Sequence, residues 1–436
     1  MSLGSPPPDP MPSAPAGPDR ATSVGRRLGP FRHPAFAVYW TGGFVSNIGT
    51  WLQTVAASVY VYQLTGSTIA VGILNFASFL PIFLFSILGG VVGDHFDRRV
   101  VVIVTHGVSG VLASILALIA LAGAPSELAV IVIAFLLNTS YAVAKPALVS
   151  ILPATVPRDE ITDAVGINTL QFVIAQMIGP VLAAVMIATA GIGWAFALNA
   201  VSYLAPIIAM LDLWRRGLAG GTAGARHAAS AVGGAANAVR IGAMAYVRSH
   251  PWVAAILVGI VACSAPLEIV RTLSPAIAES LGEPESAAGF LIAAQSVGSA
   301  IALLAFVPLR RSGRSRDLAR VGLLVQAGGL VLTVVASNLT VAAIAGGLLG
   351  FGFSLSFPVL TSTLQAEVPD IVRGRVMAVH QMAHLGNRPF AALAAGATAA
   401  IVGAQPAVLI GVALAPLGLA AGARAWRALA VERADL

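Results

Sequence analysis

From about residue 36 the chain alternates long apolar stretches with short polar breaks, and each stretch is too uniformly apolar for the amphipathic helices of a soluble domain. About 20 consecutive apolar residues are needed to cross a bilayer as a helix. On that criterion the pattern predicts twelve spanning helices, at 36–63, 68–93, 100–122, 128–151, 161–190, 193–213, 251–279, 286–308, 318–336, 339–364, 374–402 and 405–425. Most breaks hold only a few residues, such as Leu64 to Ser67 and Ala190 to Gly193, so neighbouring helices must run antiparallel. The one long connection, 214–250, comes halfway, and the even number of spans puts both ends on one side.

Ahead of the first span, Pro6, Pro7, Pro8, Pro10, Pro12, Pro15 and Pro18 stand among small residues, a composition unable to bury enough apolar surface to order itself. The expectation is a disordered cytoplasmic tail over 1–30, then a six-helix bundle over 31–213, a central cytoplasmic loop over 214–250, a second six-helix bundle over 251–425 and a cytoplasmic tail over 426–436. The first apolar run is too long for a signal-peptide core and lacks a cleavage site, so the first span should be retained. Composition agrees with a membrane protein: 57% of residues are hydrophobic and 10% charged, where about 25% charged is ordinary for soluble chains. With Cys263 as its single cysteine, the chain can form no internal disulfide and no Cys-rich metal site.

The basic residues fix an orientation. All but three of the 25 Lys and Arg residues fall in the tails, in every second loop or at the helix ends beside those loops; Lys145, Arg271 and Arg388 fall within spans. This positive-inside bias predicts a multi-pass protein of the cytoplasmic (inner) membrane with both termini and the central loop in the cytoplasm. The formal net charge of +7 follows from that orientation and requires no nucleic-acid partner.

A shift of 212 residues lays Lys145-Pro-Ala-Leu-Val-Ser-Ile-Leu-Pro-Ala-Thr-Val-Pro157 on Phe357-Pro-Val-Leu-Thr-Ser-Thr-Leu-Gln-Ala-Glu-Val-Pro369, and Arg98-Arg99 on Arg310-Arg311. The shift covers six spans, so the repeats share an orientation. The expected architecture is all-α, with two pseudo-symmetric six-helix bundles related by an axis along the membrane normal.

Gly90-Val-Val-Gly-Asp94-His-Phe-Asp97-Arg98-Arg99 resembles the loop signature of the major facilitator superfamily, Gly-x-x-x-Asp-Arg-x-Gly-Arg-Arg, with His95 for Arg and Asp97 for Gly. Ser46-Asn-Ile-Gly-Thr-Trp-Leu-Gln53, Tyr62-Gln-Leu-Thr-Gly-Ser67, Leu152-Pro-Ala-Thr-Val-Pro157 and Val368-Pro-Asp-Ile-Val-Arg-Gly-Arg-Val-Met377 extend the resemblance along nearly the whole chain after residue 30. They look like the branch holding enterobactin-type siderophore exporters and several macrolide and multidrug efflux proteins. The resemblance implies the major facilitator fold and a gating loop of Gly90, Asp94, Asp97, Arg98 and Arg99. In that loop Asp94 would meet the N-terminus of span eleven, near Asp370 and Arg373, where unsatisfied N–H groups favour an anion. The alternative is a solvated loop that only sets orientation. Phe306 stands where the repeat would place a second aspartate, so a full latch is expected on one side only. Ala175-Gln-Met-Ile-Gly179-Pro180-Val-Leu-Ala-Ala184 resembles the antiporter signature of span five, in which Gly179 and Pro180 permit close packing and rocking; ordinary small-residue packing is the other reading.

Charges inside spans default to function. Glu268 and Arg271 lie three apart on one face of span seven, where they either pair or leave Glu268 a lone carboxylate suited to carrying a proton. His380, His384 and Arg388 form a stripe at i, i+4 steps on span eleven; the two histidines are further proton candidates, with His380 expected to be wetted near the cytoplasmic end. Lys145 can snorkel to that end or face the cavity. Arg271, Arg388 and Lys145, with Asn47, Asn138, Asn168, Gln171 and Gln295, are the cavity candidates, although such polar side chains also join helix to helix. Three cations to one carboxylate would suit an anionic or amphipathic substrate.

No ATP-binding loop, nucleophile motif, metal set or cofactor motif occurs, so the chain is read as no enzyme, with no cofactor and no metal. The expected function is proton-coupled efflux of a drug or siderophore by a monomer whose partners are a small-molecule substrate, protons and the lipid bilayer. An importer or uniporter of the same fold, or a non-transporting sensor, remains the alternative.

Overall fold

The structure is a computed structural model that describes residues 29–124, 126–218, 220, 244–310 and 315–434. The side chains of 83, 86–91, 93, 94, 307, 308, 310, 315, 370 and 430–434 lie outside that description. Also outside it are the predicted tail as far as residue 28 and most of the central loop.

The chain threads twelve helical segments: α1 Pro34–Thr65, α2 Thr68–His95, α3 Arg98–Leu121, α4 Glu127–Ile151, α5 Ile161–Thr189, α6 in two pieces (Ile192–Ser202 and Leu204–Arg215), α7 Pro251–Ser280, α8 Ala288–Arg310, α9 Ser315–Val334, α10 Leu339–Glu367, α11 in two pieces (Asp370–Gly386 and Arg388–Val402) and α12, which follows the short turn Ala404–Ala407 as Leu409–Ala434. α12 runs well past residue 425, so most of the stretch expected as a C-terminal tail is helix. Gly29 and Pro30, placed in the tail by sequence, are buried in a 3-10 turn. Nine of the described helices are long and apolar enough to cross a membrane. Of the other three, α1 is studded with Ser, Thr, Asn and Gln, α2 is a 28-residue helix of which the piece Thr68–Ile82 is fully described and apolar, and α11 breaks at Asn387 beside its histidines and arginine.

The repeat is written into the helix ends. Ser126 caps α4 by accepting from Ala129 N, and Asn338 caps α10 by accepting from Val341 N. Gly191 and Gly403 open the last hairpin of each half with φ of 93° and 91°, a conformation that glycine adopts without penalty. Both pairs, and the mid-helix prolines Pro146 and Pro358, keep the 212-residue register of the sequence repeat.

Within the first half α1 packs on α5 and α6, and α2 on α4; within the second, α7 packs on α12 and α10, and α8 on α10. The halves meet where α2 lies on α11 and α5 on α8. This seam is tight at the far end, the end opposite the termini. A Cβ on Gly289 of α8 would sit 2.2 Å from the Pro180 carbonyl, and one on Gly396 of α11 would sit 2.4 Å from that of Thr68. Thr68 Oγ1 donates to Gly396 O (2.8 Å), Ser296 Oγ to Gln176 O (3.1 Å), and Tyr62 Oη to Glu279. The apolar core around Leu52, Leu74 and Phe196 of the first half takes in Ala276, Ala288 and Ile292 of the second. Side chains such as Leu118, Leu304 and Ile401 remain exposed, as a lipid-facing surface requires.

Candidate functional site

Most ionisable side chains inside the bundle belong to the second half, on α7 and α11. α7 is enclosed along nearly its whole length, and Glu268 on it is 3% exposed. Among the described residues the carboxylate closes no ion pair, and its Oε2 has no hydrogen-bond partner. Arg388 and Arg271 act on it only at longer range. The i, i+3 pairing is therefore not the arrangement here, because Arg271 is engaged elsewhere. Its Nε donates to Gln295 Oε1 of α8 (3.2 Å), and its guanidinium lies 5.3 Å from the centroid of the Trp51 ring on α1. Arg388, first residue of the second piece of α11, lies 5.5 Å from the Phe79 ring centroid on α2.

His380 is buried rather than wetted: its Nε2 is 2.9 Å from Thr361 Oγ1 of α10. His384 packs its ring on Phe357 and Phe353 of α10 at centroid distances of 4.4 and 6.0 Å. Asn387, at the break in α11, donates from Nδ2 to Ser264 Oγ of α7 (2.8 Å). Buried polar atoms almost always find partners. Of the buried side-chain atoms left without one among the described residues, all but Trp252 Nε1 belong to this neighbourhood: Glu268 Oε2, Gln295 Nε2, His380 Nδ1, His384 Nδ1 and Asn387 Oδ1. Such a set can hold protons, water or the polar groups of a ligand.

The structure brings together Glu268, Arg271, Gln295, His384 and Arg388, with His380 one turn farther along. It places the other candidates elsewhere. Asn47 donates to Gln171 Oε1 (3.3 Å), and Gln171 donates to Trp40 O, so both join α1 to α5. Asn138 bonds its own helix at Ala134 O (2.9 Å), and Asn168 is half-buried on α5. Lys145 is exposed, its Nζ 5.5 Å from the Tyr141 ring centroid. Gly179 fits against Trp51, where a Cβ would lie 2.5 Å from the tryptophan Cβ, and Pro180 carries the carbonyl that meets Gly289. Trp51, Phe79, Phe353 and Phe357 are lining residues that sequence reasoning missed; their signal was aromatic rings at mid-span levels occupied by charges on other helices.

At the near end, the loop residues are staples. Asp97 caps α3, accepting from Arg99 N (2.8 Å) and pairing with Arg99 Nη2 (2.7 Å). Arg99 reaches Leu218 O (3.1 Å) and covers the Trp214 ring at 4.7 Å, while Arg98 donates to Ser150 O (3.3 Å). The departure from Gly to Asp97 is thus a helix cap. Asp97→Ala should insert normally and lose about 1 kcal/mol of stability, read as a lower melting midpoint of the detergent-purified protein. α11 does begin at Asp370, and Arg373 Nε donates to Val368 O (3.1 Å). Gly90 lies within α2, and the side chains of Asp94 and Asp370 fall outside the described residues. Phe306, in place of the second aspartate, packs beside Leu318, Val359 and Trp426. A cleft of about 470 Å³ at the far end, between Tyr62, Thr68, Glu279 and Gly403, contains none of the bundle's buried charges.

Two like halves around a buried, partly unsatisfied polar centre define a membrane transporter of the major facilitator superfamily. The chain belongs to the family described as transmembrane secretion effector, whose model matches residues 26–435. It is 26% identical to the enterobactin exporter EntS of Citrobacter koseri over 394 residues, covering 89% of this chain and 91% of that one. It is 26% identical over 357 residues to EntS of Escherichia coli O81, covering 79% and 80%. Among solved structures, a bacterial homologue of the iron transporter ferroportin in an inward-facing state superposes with a TM-score of 0.69 at 13% identity, covering 90% of this chain and 98% of that chain. The D-xylose-proton symporter superposes with a TM-score of 0.64 at 14% identity, covering 90% and 96%.

Proposed function

We propose that the protein is a proton-coupled exporter of small amphipathic or anionic molecules, of the drug or siderophore kind, working by alternating access in the inner membrane. The observation that carries the reading is Glu268: a carboxyl group buried among helices that, among the described residues, closes no ion pair and leaves one oxygen unpartnered. An unpaired charge is costly in such a setting, so its proton occupancy responds to whatever lies beside it. His384 is the second proton candidate, and Arg271, Arg388 and Gln295 are the substrate contacts. The exporter relatives support the outward direction. The positive-inside bias supports cytoplasmic termini, and with them the tight far end is the outer seal. A site sealed from outside is one that loads from the cytoplasm.

The test is accumulation of dyes, antibiotics and catecholate siderophores in efflux-deficient cells carrying the full chain, with and without a protonophore. The proposal expects lower accumulation of at least one compound, restored by the protonophore. Depletion that ignores the protonophore, or no depletion with the protein present in the membrane, would overturn it.

A further inference from the structure

Arg271 and Arg388 are the charges that act on Glu268, and each has its guanidinium beside an aromatic ring of the other half of the molecule. Arg271 shares α7 with Glu268, yet it faces Trp51 of α1 and Gln295 of α8. Arg388 comes from α11, yet it faces Phe79 of α2. Trp51 is itself fixed to the first half, packed edge-on against Phe172 at 6.0 Å and against Gly179. α11 also presents His384, within electrostatic reach of both arginines and of His380. The side chains that α8, α1 and α2 set against the two arginines, Gln295, Trp51 and Phe79, are neutral. A cation on an aromatic face is attracted by the ring's quadrupole, whereas a guanidinium closing on a buried carboxylate gains a charge-assisted hydrogen bond as well. Each arginine therefore has two competing partners, and in this state the ring holds it.

We infer that Trp51 and Phe79 are positioning residues for proton coupling: their ring faces hold Arg271 and Arg388 off Glu268, and a substrate that covers either ring drives a guanidinium onto the carboxylate and expels its proton. The proton passes from the Glu268 carboxyl to water, and the resulting carboxylate is neutralised by the arriving guanidinium. Proton and substrate thereby exclude one another without sharing a site. The inference rests on the reading of Glu268 as the proton site.

Infrared titration of the full chain in lipid nanodiscs, without substrate, tests it through the protonated-carboxyl band that Glu268→Gln removes. Phe79→Leu and Trp51→Leu keep apolar bulk and remove the ring, which frees the arginine as a substrate would. Each should move the band's midpoint down by about 1 to 3 pH units, the effect of an opposite charge brought close to a carboxylate. Phe79→Trp, which keeps a ring face, should leave the midpoint in place. In an Arg388→Ala background, Phe79→Leu should move it no further. Unchanged midpoints in both leucine variants would overturn the inference, as would an equal shift without Arg388. If Glu268→Gln removes no titrating band from the otherwise unaltered chain, the proton assignment itself fails and takes the inference with it, an outcome distinct from unchanged midpoints.

Discussion

Glu268→Gln is expected to give a protein that folds and inserts normally but no longer concentrates substrate against a gradient. The amide matches the carboxyl in shape, and Oε2 has no hydrogen bond to lose. Replacing a buried, unpaired ionisable group by a neutral one removes a desolvation cost, so thermal stability should hold or rise. What disappears is the only change of charge that this position can undergo. Cells carrying the variant should accumulate substrate like cells with empty vector, protonophore or not, while purified protein still binds substrate. Stability and binding that survive together with lost accumulation separate a coupling defect from a folding defect. Retained, protonophore-sensitive efflux would move the proton to His384.

Gly289→Leu should abolish transport by a different route. At residue 289 the backbones of α8 and α5 approach so closely that a Cβ would lie 2.2 Å from the Pro180 carbonyl and 2.9 Å from the Ala184 Cβ. Backbone cannot yield as a side-chain tip can, and a leucine would hold the halves apart at the far end. Intrahelical structure on either side is untouched, so both halves should still fold. The readout is cross-linking of Tyr62→Cys to Glu279→Cys by a bifunctional thiol reagent in a Cys263→Ser background, positions whose native side chains are hydrogen-bonded across the seam. The pair should cross-link readily with Gly289 present and poorly with leucine there. Equal cross-linking and normal transport in the leucine variant would show that the contact is not part of the cycle.

Much of the fold was legible in the sequence because the bilayer imposes it. Span length, short turns and the placement of arginines each follow from a solvent that tolerates neither open backbone nor stray charge. The 212-residue register read from Lys145–Pro157 against Phe357–Pro369 reappears in the caps Ser126 and Asn338 and in Gly191 and Gly403. Helix ends were less legible. Apolar stretches do not announce a break such as that at Asn387, and α12 keeps its helix through arginines that read as a tail.

The site was legible only in part, since periodicity gives a face and not the neighbour opposite it. Glu268 and Arg271 share a face of α7, but Trp51 and Gln295, from two other helices, take the guanidinium. Asn47 and Gln171 have the polarity of cavity residues and spend it joining α1 to α5. His380 lies near a helix end in sequence, yet Thr361 and Phe357 cover it. Each outcome depends on interhelical packing, which a single amphipathic pattern does not encode.

The central claim is that a proton gradient drives substrate outward, and everted membrane vesicles test it most directly because their outer face is the cytoplasmic one. With the lumen acidified and a responsive compound from the cell panel supplied outside, vesicles carrying the wild-type chain should accumulate it and release it when a protonophore is added; Glu268→Gln vesicles should not accumulate it. Uptake that stops at equilibrium and is indifferent to the imposed gradient would contradict the account and make the protein a facilitator.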